Sequence, residues 1–198
     1  MSHTPQHAAI RQHLRNEVRQ RRKNLSPEQQ QQFAHQAAER IALHPRIQAA
    51  TTISVFLSFD GELDTAPLIE QLWARGKQLC LPVLHPFSAG HLLFLRYTPD
   101  TPLIRNRLKI LEPVLDVRQL IPLSQLDIIL TPLVAFDEQG QRLGMGGGFY
   151  DRTLEKWRHR GPYPIGLAHD CQQVEGLPVE EWDVPLPEII TPGRVWIW

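Results

Sequence analysis

The sequence has no surplus of charge, because 21 lysines and arginines stand against 21 aspartates and glutamates. A protein whose main partner is nucleic acid usually carries a basic excess, so this balance argues against that class. The sequence also has no apolar run that approaches the ~20 residues of a membrane-spanning helix. We therefore expect neither a nucleic-acid partner nor a membrane partner.

Cysteine is scarce, since Cys80 and Cys171 are the only two in 198 residues. Two such residues make neither a disulfide framework nor a metal-ligand spacing, and this usage is typical of a reducing compartment. The polar start of the sequence, M-S-H-T-P-Q-H, lacks the apolar segment of a signal peptide. These features predict a cytoplasmic protein.

Common site motifs are missing as well. The sequence contains no G-K-[ST] of a Walker A loop, no complete G-x-G-x-x-G and no G-x-S-x-G nucleophile turn. The usual phosphate-binding loops and a serine hydrolase are therefore excluded. No combination of cysteine and histidine has the spacing of a zinc site.

The strongest local feature is the glycine stretch Q-R-L-G-M-G-G-G-F-Y-D-R, residues 141–152. It follows a predicted strand and precedes a predicted helix. Backbone without Cβ atoms can turn through positive φ and bring its N–H groups against an anion, so phosphate is the first ligand to expect. A tight structural turn is the alternative, and the stretch alone leaves both interpretations open.

Segments of strand and helix character alternate along the chain. Strands are predicted at 51–59, 77–84, 91–97, 126–130, 164–168 and 194–198, and helices at about 8–24, 27–44, 66–75 and 149–157. This alternation predicts an α/β fold: a single three-layer αβα domain over residues 1–198, with a mainly parallel sheet. Residues 99–122 show little periodicity and are predicted to be a loop.

The first predicted helix carries a basic stripe beside its apolar one. Six basic residues and one acid lie between Arg11 and Lys23, and Arg11, Arg15 and Arg19 recur every four positions. One interpretation is a solvated helix face. The other is a site for an anionic ligand, because guanidinium groups bind phosphate and carboxylate through two hydrogen bonds.

Three carboxylates are candidates for a role in binding. Asp151 leaves the glycine stretch where the metal of a polyphosphate would lie, and Asp183 lies in a loop near the end of the chain. Mg²⁺ needs only one or two protein carboxylates, although a surface or capping role for Asp183 stays open. Glu62 follows a predicted strand, where α/β sheets bind ligands, and has no evident local task.

Five motifs in order resemble the 5-formyltetrahydrofolate cyclo-ligase family. T-P-L-V-A-F-D-E-Q-G and the following R-L-G-M-G-G-G-F-Y-D-R resemble the family signature R-L-G-x-G-x-G-[FY]-Y-D-R and the segment before it. The other four motifs are R-Q-H-L-R, F-L-S-F-D-G-E-L-D-T, N-R-L-K-I-L-E-P and W-D-V-P-L-P-E-I-I-T-P. The resemblance covers nearly the whole chain and indicates the proteobacterial branch.

The resemblance implies an enzyme that closes 5-formyltetrahydrofolate to 5,10-methenyltetrahydrofolate with ATP and Mg²⁺, releasing ADP and phosphate. It implies folate binding at Leu57 and Glu62 and Mg²⁺ at Asp151 and Asp183, with no residue assigned as acid or base. It implies ATP binding at Arg11, Arg15, Arg142, Leu143, Gly144, Met145, Gly146, Gly147, Gly148, Phe149 and Tyr150. We expect a monomer.

The sequence departs from the family pattern at four positions. Met145 and Gly147 stand where some members have Arg and Lys, Arg11 stands where many have Lys, and Phe149 replaces a Tyr. The positive charge that neutralises the nucleotide must then come from other arginines, among them Arg152, from Mg²⁺ or from backbone N–H groups. Two other functions stay open: a nucleotide- or RNA-binding regulator that uses the basic helix, and a phosphosugar isomerase-like enzyme that needs no ATP.

Overall fold

A computed structural model of the chain describes residues 5–198 and contains five helices and eleven strands in that range. The helices are α1 (Pro5–Lys23), α2 (Pro27–Ala42), α3 (Pro45–Ala49), α4 (Ala66–Ala74) and α5 (Phe149–Leu154). The strands are β1 (Thr52–Ser54), β2 (Gln78–Leu84), β3 (Leu92–Tyr97), β4 (Leu103–Arg105), β5 (Leu111–Pro113), β6 (Ile128–Pro132), β7 (Ala135–Phe136), β8 (Arg142–Leu143), β9 (Tyr163–Leu167), β10 (Glu188–Ile190) and β11 (Val195–Ile197).

Seven strands form one sheet in the order β11-β10-β9-β6-β1-β2-β3. The four inner pairs are parallel, and only the edge pairs β2–β3 and β10–β11 are antiparallel. The predicted α/β class with a mainly parallel sheet is therefore confirmed. The remaining strands form two short hairpins, β4–β5 and β7–β8. No helix of residues 5–198 is long and apolar enough to cross a membrane.

The two faces of the sheet belong to different cores. Ile128 and Leu130 of β6 belong to the core that α2 and α4 cover, whereas Ile129 packs in the core that contains Leu154 of α5. This alternation follows from the pleat of a strand. The second face is covered by the six-residue α5, a 3₁₀ turn at Leu123–Gln125 and irregular segments, so it has less helix than a full αβα layer.

Among the segments that differ from the sequence-based prediction, three have a clear physical reason. The strand predicted at 51–59 ends at Ser54. The N–H of Val55 still donates to the carbonyl oxygen of Cys80 in β2, but the buried Phe56 that follows has no partner in the ladder of the sheet. The loop predicted at 99–122 contains the β4–β5 hairpin, whose strands are too short and too exposed to give an alternating pattern. The strand β10, next to the edge strand β11, was not predicted, since three residues between prolines give almost no periodic signal.

The carboxyl ends of β1 and β6 define the edge at which a site is expected. The chain runs from β1 to β2 on one side of the sheet, and β6 pairs with β1 on the other side. Open α/β sheets bind ligands at such a switch point. The segment after β1 carries Leu57 and Glu62, and the segment after β6 leads through β7–β8 into the glycine stretch.

Asp127 joins two strands at the opposite edge of the sheet. Its Oδ2 accepts hydrogen bonds from the backbone N–H groups of Thr51 (2.9 Å) and Thr52 (3.0 Å). A hydrogen bond to a charged acceptor is worth about 1 kcal/mol more than one to a neutral acceptor. We predict that Asp127→Asn lowers the free energy of unfolding by about 1–2 kcal/mol, measured by urea denaturation; an unchanged midpoint would contradict this role.

Candidate functional site

The glycine stretch forms an exposed turn between β8 and α5. Gly146 has a φ of 102° and Gly148 a φ of 68°, a region that other residues rarely adopt. The N–H groups of Met145, Gly146, Gly147 and Gly148 donate to no protein acceptor in the described part of the chain. Adjacent unused N–H groups in such a turn are what an anion-binding loop requires.

Helix α1 lies against this turn through Arg15. Arg15 Nε donates to the carbonyl oxygen of Gly144 at 2.8 Å, and a Cβ on Gly146 would lie 3.6 Å from Arg15 Nη2. Burial and, after it, the neighbouring charge of Arg11 lower the pKa of Arg15. One cation of α1, Arg15, therefore lies beside the free N–H groups of the turn, and a second, Arg11, is close enough to Arg15 to affect its pKa.

Each predicted metal ligand is paired with a predicted ATP-binding arginine. Arg11 donates to both oxygens of Asp183, at 2.7 and 3.2 Å, and Arg142 Nη2 donates to Asp151 Oδ1 at 2.6 Å. All four side chains are largely buried. The N–H of Val184 also donates to Asp151 Oδ1, at 3.1 Å, which connects the two ion pairs.

The two carboxylates suit Mg²⁺ to different degrees. Asp151 Oδ2 has no partner among the described residues, whereas both oxygens of Asp183 already hold Arg11, and Oδ2 also accepts from Glu180 N at 2.8 Å. Within residues 5–198 no three His, Cys, Asp or Glu side chains cluster as metal ligands. The donor set therefore fits Mg²⁺ held by one or two carboxylates, completed by water and phosphate oxygens.

Several predicted site residues are placed differently from what the sequence indicated. Asp151 lies in the first turn of α5, which begins at Phe149 as predicted, so it stands beyond the exposed turn and not within it. The side chain of Leu143 is buried with Val18 of α1, so only its backbone can reach a ligand. Arg152 Nη1 donates to the carbonyl oxygens of Gly147 (2.7 Å) and Gly90 (3.2 Å), so it braces the turn instead of offering free charge.

Glu62 and Tyr150 are close enough to interact electrostatically. Burial raises the pKa of Glu62 to about 7, and burial, followed by the charge of Glu62, raises the pKa of Tyr150. Glu62 also has a local task that the sequence did not indicate, because its Oε1 accepts from Phe59 N at 2.8 Å. Leu57, half-buried, packs at the edge of the first core on the same segment.

The residue that sequence analysis missed is Asp60, two positions before Glu62. Its Oδ2 accepts from Arg19 Nε (2.5 Å) and Arg22 Nη2 (3.1 Å), and Lys23 Nζ lies 2.8 Å from Oδ1. Arg22 is only 1% exposed, so the interpretation of the basic stripe as a solvated face is wrong for this residue. The feature of the sequence that could have indicated such an acidic partner was the excess of basic over acidic residues in the helix.

Comparison with known proteins agrees with these features. The model of the 5-formyltetrahydrofolate cyclo-ligase family matches residues 7–192. The 5-formyltetrahydrofolate cyclo-ligase of Escherichia coli (strain K12) is 66% identical over 181 residues, which cover 91% of this chain and 100% of that protein. The cyclo-ligase of Haemophilus influenzae is 54% identical over 184 residues, which cover 91% of this chain and 96% of that protein.

Solved structures of two 5,10-methenyltetrahydrofolate synthetases are similar to this chain. The NMR structure of Aquifex aeolicus 5,10-methenyltetrahydrofolate synthetase matches with a TM-score of 0.80 and 28% identity, over 95% of this chain and 92% of that chain. The synthetase from Mycoplasma pneumoniae shares the fold, with a TM-score of 0.72 at 24% identity. The E. coli and H. influenzae relatives confirm the predicted proteobacterial branch. This chain therefore belongs to the 5-formyltetrahydrofolate cyclo-ligase family.

Proposed function

We propose that this protein converts 5-formyltetrahydrofolate to 5,10-methenyltetrahydrofolate and uses ATP, which becomes ADP and phosphate. The observation that supports this most is the meeting of three features at one edge of the sheet. These are a turn with free N–H groups, the arginines of α1, and two carboxylates, of which Asp151 keeps one oxygen without a partner among the described residues. The Glu62 carboxylate interacts electrostatically with Tyr150, which follows that turn at the start of α5.

Each group of residues has one task in the proposed reaction. ATP binds at Arg11 and Arg15 and along residues 142–150. Folate binds at Leu57 and Glu62. Asp151 and Asp183 would hold Mg²⁺, which would supply positive charge to neutralise the phosphates. We also propose that residues 1–198 act as one domain, as a monomer in the cytoplasm, without nucleic-acid or membrane partners.

The chemistry begins with a poor electrophile, because the formamide nitrogen donates electrons into its carbonyl group. In the proposed first step the formyl oxygen attacks the γ-phosphorus of ATP; an O–P bond forms and the bond to ADP breaks. N10 then attacks the activated carbon and loses its proton, and the C–O bond breaks to release phosphate. Phosphoryl transfer depends mainly on positioning and on stabilising charge, so no residue need form a covalent bond.

The residues of the chain provide that positioning. The N–H groups of the glycine turn hold phosphate oxygens, and ionised Glu62 accepts hydrogen bonds from the pterin ring. Of the three arginines proposed for ATP, Arg15 is the one without a carboxylate partner among the described residues. Because Met145 and Gly147 provide no cation within the turn, Arg15 is the arginine best placed to meet a phosphate.

One assay tests the proposed function. Purified protein with 5-formyltetrahydrofolate, Mg²⁺ and ATP is expected to produce the absorbance of the methenyl product, and no absorbance should appear without ATP. Salt-dependent RNA binding without folate turnover would instead support a regulator. Isomerisation of a sugar phosphate without ATP would support the phosphosugar enzyme.

We predict that Arg15→Ala raises the KM for ATP much more than the KM for folate. Loss of one charged contact to a reacting phosphate costs about 2–4 kcal/mol, so the effect on kcat/KM for ATP should exceed tenfold. Arg21→Ala is the matched control, because Arg21 lies on the same helix but pairs with Glu17 on the exposed face. An ATP KM that stays at the wild-type value would refute the assignment.

We predict that Asp151→Asn abolishes ATP-dependent turnover but keeps most of the stability, because the amide oxygen still accepts from Arg142 and Val184. Asp151→Ala should also lose turnover, and it should destabilise the fold by about 3–5 kcal/mol because it leaves buried Arg142 unpaired. Urea denaturation measures the loss of stability in each variant, and Mg²⁺ titration of its activity measures the loss of the metal role. Near-normal activity of Asp151→Asn at limiting Mg²⁺ would exclude the metal role.

A further inference from the structure

Asp60 is one carboxylate that holds three cations of one helix. Arg19, Arg22 and Lys23 of α1 all reach it, and Arg22 Nε donates in addition to the carbonyl oxygen of Asp60 at 2.8 Å. Burial alone would raise the pKa of Asp60, but the three cations hold it well below its usual range. The side chain is therefore charged and fixed to α1.

The turn that begins at Asp60 determines where Glu62 lies. Asp60 and Gly61 have φ values of 54° and 78°, so two consecutive residues are left-handed. A Cβ on Gly61 would lie 3.3 Å from Arg22 Cγ, and Gln30 Nε2 donates to the carbonyl oxygen of Gly61 at 3.3 Å. The turn thus rests directly on α1 and α2, and the Glu62 carboxylate closes it through Phe59 N.

The same helix also contacts the glycine turn. Arg15 donates a hydrogen bond to Gly144, and Arg22 donates one to Asp60. Arg22 lies seven residues after Arg15, which is about 10 Å along the helix axis. Helix α1 therefore connects the proposed nucleotide turn with the loop that carries Glu62. A shift of α1 relative to either contact would change the distance between the two substrates.

We propose that Asp60 is a positioning residue: its ion pairs with Arg19, Arg22 and Lys23 hold Glu62 at the correct place relative to the nucleotide turn. This inference rests on the proposed function, because it requires that Glu62 binds folate. It differs from a role in stability alone, because it predicts a selective effect on folate and not on ATP.

The electrostatic surroundings of Glu62 supply a second, independent measurement. Burial is the main reason that the pKa of Glu62 is raised; beyond it, Arg22 lowers this pKa and Asp60 raises it, and Tyr150 of α5 interacts electrostatically with the same carboxylate. Removal of the negative charge of Asp60 should therefore lower the pKa of Glu62. If folate binding requires ionised Glu62, the acid limb of kcat/KM for folate moves to lower pH in Asp60→Asn. Loss of stability alone would not shift this limb.

Asp60→Asn is the variant that tests the proposal. We expect the KM for folate to rise about tenfold, the value of one charged hydrogen bond, while the KM for ATP stays within about twofold of wild type. Asp60→Glu should restore part of the loss. Asp127→Asn is the matched control, because it removes a structural carboxylate at the opposite edge of the sheet and should change neither KM.

Arg19→Gln gives a second test if Asp60→Asn does not fold. Its side chain is about one third exposed, so the variant should fold, and we expect the folate KM to rise about two- to threefold. An unchanged folate KM in either folded variant overturns the inference, as does an equal rise in both KM values. Both variants should also bind 5-formyltetrahydrofolate more weakly than wild type in calorimetry without ATP, and equal affinity overturns the inference even if turnover is absent. Absence of methenyl product in the wild-type protein would instead overturn the proposed function.

Discussion

The positive charge of α1 has to be balanced by residues outside the helix, and much of the site is arranged around that need. A guanidinium that is buried without a partner is very costly, whereas one that is paired and hydrogen-bonded is tolerated. Arg22 meets Asp60 after β1, and Arg11 meets Asp183 near the end of the chain. Two loops that are far apart in sequence are therefore brought to the same helix, which fixes the region where both substrates are proposed to bind.

The sequence predicted the parts of the structure that depend on local patterns. Alternating strand and helix segments gave the α/β class, and the glycine spacing marked the turn in which Gly146 and Gly148 adopt positive φ. The predicted length of β1 was wrong because burial, not strand formation, explains the apolar residues after Ser54. Local pattern cannot separate these two causes of hydrophobicity.

The long-range ion pairs could not be predicted in the same way. The basic stripe of α1 indicated an unbalanced charge, but nothing in the sequence pairs Arg22 with Asp60, which lies 38 residues away. Likewise Asp151 and Asp183 were identified as metal candidates, yet their pairing with Arg142 and Arg11 depends on the way the chain crosses the sheet edge. Electrostatic partners of this kind are a property of the assembled fold.

The absence of a cation inside the glycine turn gives α1 a larger part in the proposed reaction. Arg152 is committed to carbonyl oxygens that brace the turn, and Met145 and Gly147 carry no charge, so Arg15 is the arginine of α1 that contacts the turn and has no acidic partner among the described residues. Because α1 also holds the loop of Glu62 through Asp60, the proposed nucleotide contact and the proposed folate contact both depend on one helix. Cations within the glycine turn could move independently of the loop that carries Glu62, but arginines on a shared helix cannot. In the proposed site, the placement of ATP and that of folate are therefore coupled by the geometry of α1.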